Sequence, residues 1–349
     1  MKAALMPNPY NRADLFEEAG IEVIEGSVRS TQDMIELLKD ADGALVNIMP
    51  LTSREVLEAC PRLKVVSRMG VGVDSIDLHA ATELGVLACN VPGVNTVEVA
   101  DHAMSLLLAL TRRVVDSSNL VKKGSWGRDR EGMRSIQTSV CCIAGSTMGI
   151  IGFGNIGRAF AQRIRGFGPA QIIAYDPYVD QLSGDLYGVR MVEFEELLES
   201  SDFVTIHCSA TTANQHLIDE RALSQMKSTA FLVNTARGSI VDGTALAEAL
   251  RSGHIAAAAL DVMEVEPIPA DDPLLDLPNV ILTPHAAGMS PRFLEECPIR
   301  QAENVIRVLQ GSPPHGLANP EVIRTIVRMR SENAQRWENV PDFSLALEL

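Results

Sequence analysis

Residues 149–161 read GIIGFGNIGRAFA and place Gly152, Gly154 and Gly157 in G-x-G-x-x-G spacing. An apolar run, MGIIG, leads into the glycines and a helical pattern, GRAFAQRIRGF, leaves them. The stretch therefore reads as strand, tight turn and helix. The first glycine makes the turn, the second lets a pyrophosphate approach the backbone, and the third lets the helix pack close to its strand. The pyrophosphate would sit on the free N–H groups and positive dipole of that helix. Nineteen residues beyond Gly157, QIIAYDP ends in Asp176. A carboxylate there hydrogen-bonds a ribose hydroxyl and repels a 2′-phosphate. No arginine follows within DPYVD, so the expected cofactor is NAD rather than NADP.

Around this motif, from 148 to 290, the β-branched runs MGIIG, QIIAY, FVTIH, AFLVN, AAAALDV and VILTP alternate with helical patterns such as FEELLES, ERALSQM and GTALAEALRSG. Residues 1–90 show the same alternation: KAALM, IEVIEG, GALVNI and KVVSR read as strands, with RADLFEEAG, STQDMIELLKDA and TSREVLEAC between them. Thr31 and Ser53 are the expected helix caps there. A long helix is expected over about 95–115, capped by Asn95 or Thr96, and an exposed loop over the polar, glycine-rich 122–146. A further helix follows 291, and the tail from 330 is expected to be peripheral. The fold class is α/β, with two doubly wound parallel-sheet domains.

Length and composition agree. The 349 residues suit two domains, and 46% of them are apolar. The formal charge is −15, from 45 acidic against 30 basic residues. A surface so acidic repels phosphate backbones and anionic lipid, so neither nucleic acid nor membrane is an expected partner. No apolar run approaches the ~18 residues of a membrane helix. The start, MKAALMPNPYNRADLF, breaks at Pro7 and Pro9, so no secretory leader is expected. Cys60, Cys89, Cys141, Cys142, Cys208 and Cys297 form neither a C-x-x-C pair nor a metal ladder with histidine. They read as reduced thiols of a cytoplasmic protein, with no metal site expected.

Open parallel sheets bind ligands beyond the carboxyl ends of their strands, so the residues there carry the functional reading. FVTIH ends in His207. FLVNT runs into Ala236, Arg237 and Gly238. AAALD ends in Asp261, with Glu266 following before Pro267, and VILTP runs into His285. This set suits hydride transfer to a carbonyl beside a carboxylate. Nicotinamide carries the hydride. A histidine protonates the developing alkoxide, a nearby carboxylate favours the imidazolium, and an arginine clamps the substrate carboxylate. The other histidines have plainer expectations. His79, His254 and His315 read as surface residues, His102 as packing on the long helix, and His216 as a residue without a nameable partner. Cys208 lies toward the adenine side and is not read as a nucleophile.

Across roughly 40–325 the sequence resembles the D-isomer-specific 2-hydroxyacid dehydrogenases. The stretches that carry the resemblance are RMGVGVDSIDL (68–78), NVPGVNTVEVADHAMSLLLAL (90–110), GIIGFGNIG (149–157), FLVNTARGSIVD (231–242), AALDVMEVEP (258–267) and TPHAAG (283–288). The resemblance implies a catalytic set of Arg237, Glu266 and His285. It implies cofactor contacts at Val71, Gly152, Gly154, Asn155, Ile156, Gly157, Asp176, Cys208, Ser209, Thr211, Thr235, Ala236, Arg237, Asp261, His285 and Gly288. A substrate loop falls on Arg68, Met69, Gly70 and Val71, acting with Arg237 and His285. HCSATTANQHLI and TPHAA are most similar to the C-terminal-binding-protein branch, which includes corepressors, so an NADH-sensing interaction protein is the rival reading. Gly288-Met289 stands where that branch often has an aromatic residue, and Ser209 where many members have proline. A dehydrogenase of phosphorylated acids would need an extra basic cluster near Arg68, with Arg12 and Arg112 as candidates.

The resemblance also implies a layout. Residues 1–97 and 291–330 would form a discontinuous, flavodoxin-like substrate domain and 98–290 the inserted Rossmann domain, with 331–349 as a tail. Hinge crossings are expected near 95–100 and 288–293, and a homodimer through the long first helix of the nucleotide domain.

Overall fold

The computed structural model describes residues 1–332, 335–337, 339–343 and 346. The chain forms two compact units, one from Met1–Asn95 with Met289–Leu349 and the other from Thr96–Gly288. Both are parallel α/β sheets, as the alternation predicts.

The first unit holds β1 (Lys2–Leu5), β2 (Glu22–Glu25), β3 (Gly43–Val46), β4 (Val65–Arg68) and β5 (Leu87–Cys89) in the order β2-β1-β3-β4-β5, all parallel. Every residue of β3 and β4 is buried, which is why β3 reads as an unbroken apolar run; β4 ends in the buried polar residues Ser67 and Arg68. β5 escapes the sequence reading because only three residues, LAC, define it. The helix Pro291–Leu309 packs back on β3 and β4, capped by the Ser290 hydroxyl, which accepts from the Phe293 N–H at 3.0 Å. Capping differs in detail from expectation. Ser30, not Thr31, accepts from the Asp33 N–H at 3.2 Å, and Ser53 occupies a cap position without making the bond. Asn95 precedes the helix Thr96–Thr111, but its Oδ1 has no hydrogen-bond partner among the described residues.

The tail is not peripheral. Trp337, Val340 and Phe343 are buried in one cluster with Leu5, Phe16 and Leu87. Arg330 stacks over the Trp337 ring at 5.3 Å, and the Arg336 guanidinium donates to the carbonyls of Pro61 and Leu84. The three apolar residues recur at intervals of three, but Pro341 interrupts the run, so a sequence reading cannot tell them from a loose tail.

The second unit holds β6 (Thr147–Ile151), β7 (Gln171–Tyr175), β8 (Arg190–Met191), β9 (Phe203–Ile206), β10 (Phe231–Asn234), β11 (Ala257–Leu260) and β12 (Val280–Leu282). Their order is β12-β11-β10-β9-β6-β7-β8, again parallel. The order reverses between β6 and β9, and a parallel sheet opens its ligand crevice at such a switch point. β8 has two residues and no sequence signal of its own. The expected 122–146 loop contains a helix, Arg130–Ser139, whose N-cap Asp129 accepts from the Gly132 N–H at 2.8 Å. That helix fully buries none of its residues; its apolar face is only the half-buried Met133 and Ile136, too short a stripe to stand out in a polar stretch.

The two units close the amino end of their sheets alike. Asp42 accepts from the Lys2 N–H at 2.8 Å and pairs with Lys64 at 2.7 Å; Asp202 accepts from the Thr147 N–H at 2.8 Å and pairs with Lys227 at 2.8 Å. Burial works against ionisation at Asp42, but the Lys64 and Lys2 hydrogen bonds prevail and hold the carboxyl below its usual range. These amino edges are stability devices, and the chemistry-bearing residues lie at the opposite edge.

Candidate active site

At the carboxyl end of β6 the glycines leave space of a defined shape. Gly152 has φ +89°, and a Cβ there would lie 2.4 Å from the Cys208 nitrogen. A Cβ on Gly157 would lie 2.2 Å from the Gly152 carbonyl oxygen, whereas one on Gly154 would meet nothing within 4 Å. The turn is tight beneath and open above, as a backbone that receives a pyrophosphate must be. Gly154 caps the helix Asn155–Ile164 with no side-chain hydrogen bond, so no side chain of the cap competes for the N–H groups of Asn155 and Ile156. At the end of β7, Asp176 accepts from the Phe153 N–H at 2.8 Å and from the Tyr178 N–H at 3.0 Å. Its half-buried carboxylate is thereby locked beside the glycine turn. This combination fits an NAD pyrophosphate and ribose.

The loop after β9 is organised by Asn214, a residue the sequence reading missed. Its Oδ1 accepts from the Thr211 N–H at 2.7 Å, and its Nδ2 donates to the Ser209 carbonyl at 2.8 Å. Cys208 is half-buried, and burial pushes its thiol up to about 11, which agrees with a packing rather than a nucleophilic role. His207 accepts or donates one hydrogen bond at Nε2, to the Thr205 hydroxyl at 3.0 Å, and burial lowers it to about 3, so it is neutral.

After β10, the buried Asn234 shapes the turn that carries the arginine. Its Oδ1 accepts from the Ala236 N–H at 2.9 Å and its Nδ2 donates to the Arg237 carbonyl at 2.9 Å. Thr235 is buried and Arg237 half-buried, with one guanidinium nitrogen donating to the Ala236 carbonyl at 2.6 Å. A Cβ on Gly238 would fall 1.9 Å from the Met263 carbonyl group. Only glycine permits that approach, and it sets the arginine turn directly against the loop that carries Glu266.

Glu266 and His285 meet at the ends of β11 and β12. Glu266 Oε2 lies 2.7 Å from His285 Nδ1, while Oε1 accepts from the Met263 N–H at 3.0 Å. His285 has φ +52°, a strained value for a residue with a Cβ, and its N–H donates to the Asp261 carbonyl at 2.8 Å. No hydrogen bond among the described residues uses His285 Nε2. The pair thus engages one ring nitrogen and leaves the other without a partner among the described residues. Asp261 is completely buried. It accepts from the Thr283 hydroxyl at 2.6 Å and from the Ala286 and Ala287 N–H groups at 2.9 Å each, clamping the 283–287 loop. Gly288 ends the unit.

In the first unit the loop after β4 turns its carbonyls inward. Val91 N–H donates to Gly70, Asn90 Nδ2 to Val71 and the buried Arg68 to Gly72, at 2.8, 2.6 and 2.8 Å. Among the described residues no acceptor takes the Val71 and Gly72 N–H groups.

Two histidines depart from expectation. His216 has a partner: its Nε2 lies 2.5 Å from Glu264 Oε1. His102 does more than pack, since its Nε2 lies 3.0 Å from the Thr283 hydroxyl.

A parallel sheet with this switch point, glycine turn and Arg–Glu–His set defines a nicotinamide-dependent dehydrogenase of 2-hydroxy acids. Comparison with known proteins agrees. Residues 104–287 match the family model for the D-isomer specific 2-hydroxyacid dehydrogenase NAD binding domain. The chain is 43% identical over 295 residues to a glyoxylate reductase of Korarchaeum cryptofilum, covering 84% of this chain and 88% of that protein. It is 38% identical over 307 residues to a D-3-phosphoglycerate dehydrogenase of Methanocaldococcus jannaschii, covering 87% of this chain but 56% of that longer protein. Among solved structures, a glyoxylate reductase from Paecilomyes thermophila superposes with a TM-score of 0.81 at 28% identity, covering 91% of this chain and 98% of its own. The chain belongs to the D-isomer specific 2-hydroxyacid dehydrogenases, and its cofactor is NAD.

Proposed function

We propose that this enzyme reduces small, unphosphorylated 2-oxo acids, of the glyoxylate and hydroxypyruvate kind, to D-2-hydroxy acids. The observation that carries this reading is the carboxyl edge of the first unit. The residues after β3 are apolar and exposed there, with Ile48 at 50%, Met49 at 67% and Leu51 at 49%. The arginines that a phosphate would need are engaged elsewhere: Arg12 forms a two-point pair with Asp14 at 2.9 and 2.5 Å, and Arg112 donates to the Cys141 carbonyl at 3.3 Å.

The proposed roles follow from the geometry. Arg237 holds the substrate carboxylate through its planar donors and polarises the adjacent carbonyl. His285 Nε2 gives a proton to the developing alkoxide, and Glu266 holds Nδ1 so that the ring keeps its orientation and a charge partner. NAD, when bound, supplies or accepts the hydride. The N–H groups from Gly154 to Gly157 would hold its pyrophosphate and Asp176 its ribose hydroxyls. In the first unit, Val71 and Gly72 offer backbone N–H donors, with Arg68 bracing their loop.

Steady-state kinetics with glyoxylate, hydroxypyruvate, pyruvate and phosphohydroxypyruvate, each with NADH and NADPH, test this. The unphosphorylated acids should lead by at least about tenfold in kcat/KM, with NADH preferred because Asp176 repels a 2′-phosphate. A phosphohydroxypyruvate preference would overturn the substrate assignment. The likeness of HCSATTANQHLI to the C-terminal-binding-protein branch supports a second reading, an NADH-sensing interaction protein; NADH binding without turnover of any acid would favour it.

We further propose a cytoplasmic homodimer. All six cysteines are unpaired, as a reducing compartment keeps them. No helix among the described residues is long and apolar enough to cross a membrane. Val114, Val121 and Trp126 are exposed beside a helix, Arg130–Ser139, that fully buries none of its residues, a surface suited to a second copy. Light scattering that finds one chain per particle would remove the dimer.

A further inference from the structure

We propose that His102, through Thr283 and Asp261, is a positioning residue for the proton donor His285. The inference rests on the assignment of His285 as the acid. His102 lies in the Thr96–Thr111 helix, far in sequence from the active-site loops, yet its Nε2 is 3.0 Å from the Thr283 hydroxyl and 3.4 Å from Asp261 Oδ1.

The proton arrangement is determined by counting donors. A hydroxyl has one proton, and at 2.6 Å from a carboxylate oxygen the Thr283 hydroxyl gives it to Asp261. The same hydroxyl oxygen therefore accepts from His102, which must carry its proton on Nε2. The chain of donors runs from His102 to Thr283 to Asp261 without a break. Asp261, with no exposed surface, spends its remaining capacity on the Ala286 and Ala287 N–H groups, and its carbonyl accepts from the His285 N–H.

Those bonds hold His285 in the left-handed region at φ +52°. A residue with a Cβ adopts that conformation only when its surroundings over-determine it. Asp261 is the common anchor, and its carboxylate orientation depends on the Thr283 proton. If His102 does not donate to the hydroxyl oxygen, Thr283 still bonds Asp261, but the loop loses the tie that fixes the hydroxyl to the Thr96–Thr111 helix, and with it one of its restraints. His102 is thus placed to control how often the His285 ring is presented in register, with no contact to substrate.

Keto-acid reduction by His102→Phe, His102→Gln and Thr283→Val tests this, beside His285→Gln and the double variant His102→Phe/His285→Gln. His102→Phe and Thr283→Val should each lower kcat about tenfold, since small displacements of a reacting group are costly. NADH affinity, measured by fluorescence titration, should stay within about twofold. His102→Gln should recover most of the rate, because its amide nitrogen can donate to Thr283. In the double variant His102→Phe should add no loss to that of His285→Gln, the signature of one residue acting through another. Losses that multiply, equal damage in the Gln and Phe variants, or a wild-type kcat for His102→Phe would each overturn the inference. Full activity of His285→Gln would show a different fault, in the assignment of the acid itself, and the inference would fall with it.

Discussion

Two histidine–glutamate pairs in the second unit share nearly the same local geometry. His285 and Glu266 are 2.7 Å apart, and His216 and Glu264 are 2.5 Å apart. Both histidines have positive φ, +52° and +50°, and all four side chains are between 35% and 39% exposed. The difference lies in which ring nitrogen is used. His285 gives Nδ1 to its glutamate, and no described residue takes its Nε2. His216 gives Nε2 to Glu264 while its Nδ1 faces Asp242 at 3.8 Å, so acids flank both sides of the ring. His216 also donates its N–H to the Ser239 carbonyl and Glu264 Oε2 accepts from the Gly243 N–H at 3.3 Å, tying three loops together. A carboxylate beside an imidazole therefore does not define an acid catalyst. The proposed mechanism turns instead on a nitrogen left over, on a loop whose shape is enforced.

Replacing the two histidines should give the largest contrast. His285→Gln should lower kcat by about 10³-fold, within the range for loss of a general acid, with NADH binding nearly unchanged. His216→Gln should stay within about threefold of wild type. Comparable losses in the two variants, measured by steady-state turnover, would erase the distinction.

The glutamates should differ less. Glu266→Gln keeps the shape but replaces the carboxylate that holds His285 Nδ1 with an amide, which can turn either its oxygen or its nitrogen to the ring. Glu266→Gln should therefore lower kcat about tenfold in both directions, within the range for a disturbed general acid. Glu264→Gln should stay within about twofold of wild type in both. Steady-state turnover in both directions decides this, and a wild-type kcat for Glu266→Gln would sever that residue from the mechanism.

The smallest expected effect is on stability. The hydrogen bond to Glu264, followed by the nearby acids, holds His216 above the ordinary histidine range of about 6.5. A group raised on folding stabilises the native state fully below its unfolded pKa, and that contribution is lost as pH rises through the folded value. The Tm gap between wild type and His216→Gln should therefore be a degree or so at pH about 6 and vanish toward pH about 9, given how little exposed pairs contribute. A gap that widens with pH would show that His216 acts by packing instead.

Much of the molecule was legible along the chain. The glycine turn and Asp176 lie within one βαβ unit, and a pattern that short is written in consecutive residues. The strands buried on both faces announced themselves as apolar runs. What escaped had no local pattern: β5 and β8 are too short, the Arg130–Ser139 helix has no buried stripe, and Trp337, Val340 and Phe343 reach the core one by one. Asn214 and Asn234, which shape the loops carrying the expected contacts, look like any loop asparagine until their partners are seen.

The sequence by itself determined the α/β class, the family, the cofactor and the residue types at each strand end, because these depend on periodicity, glycine spacing and the polar residue that follows each apolar run. Tertiary structure alone decided what each of those residues does. Glu264 and Glu266 are two positions apart on one loop, yet one meets His216 and the other His285. Asp261, read as a cofactor contact, has both carboxylate oxygens committed to the loop that holds His285. Hydrogen bonds are short and directional, so which nitrogen of a ring and which oxygen of a carboxylate meet is determined only when strands distant in sequence are brought side by side.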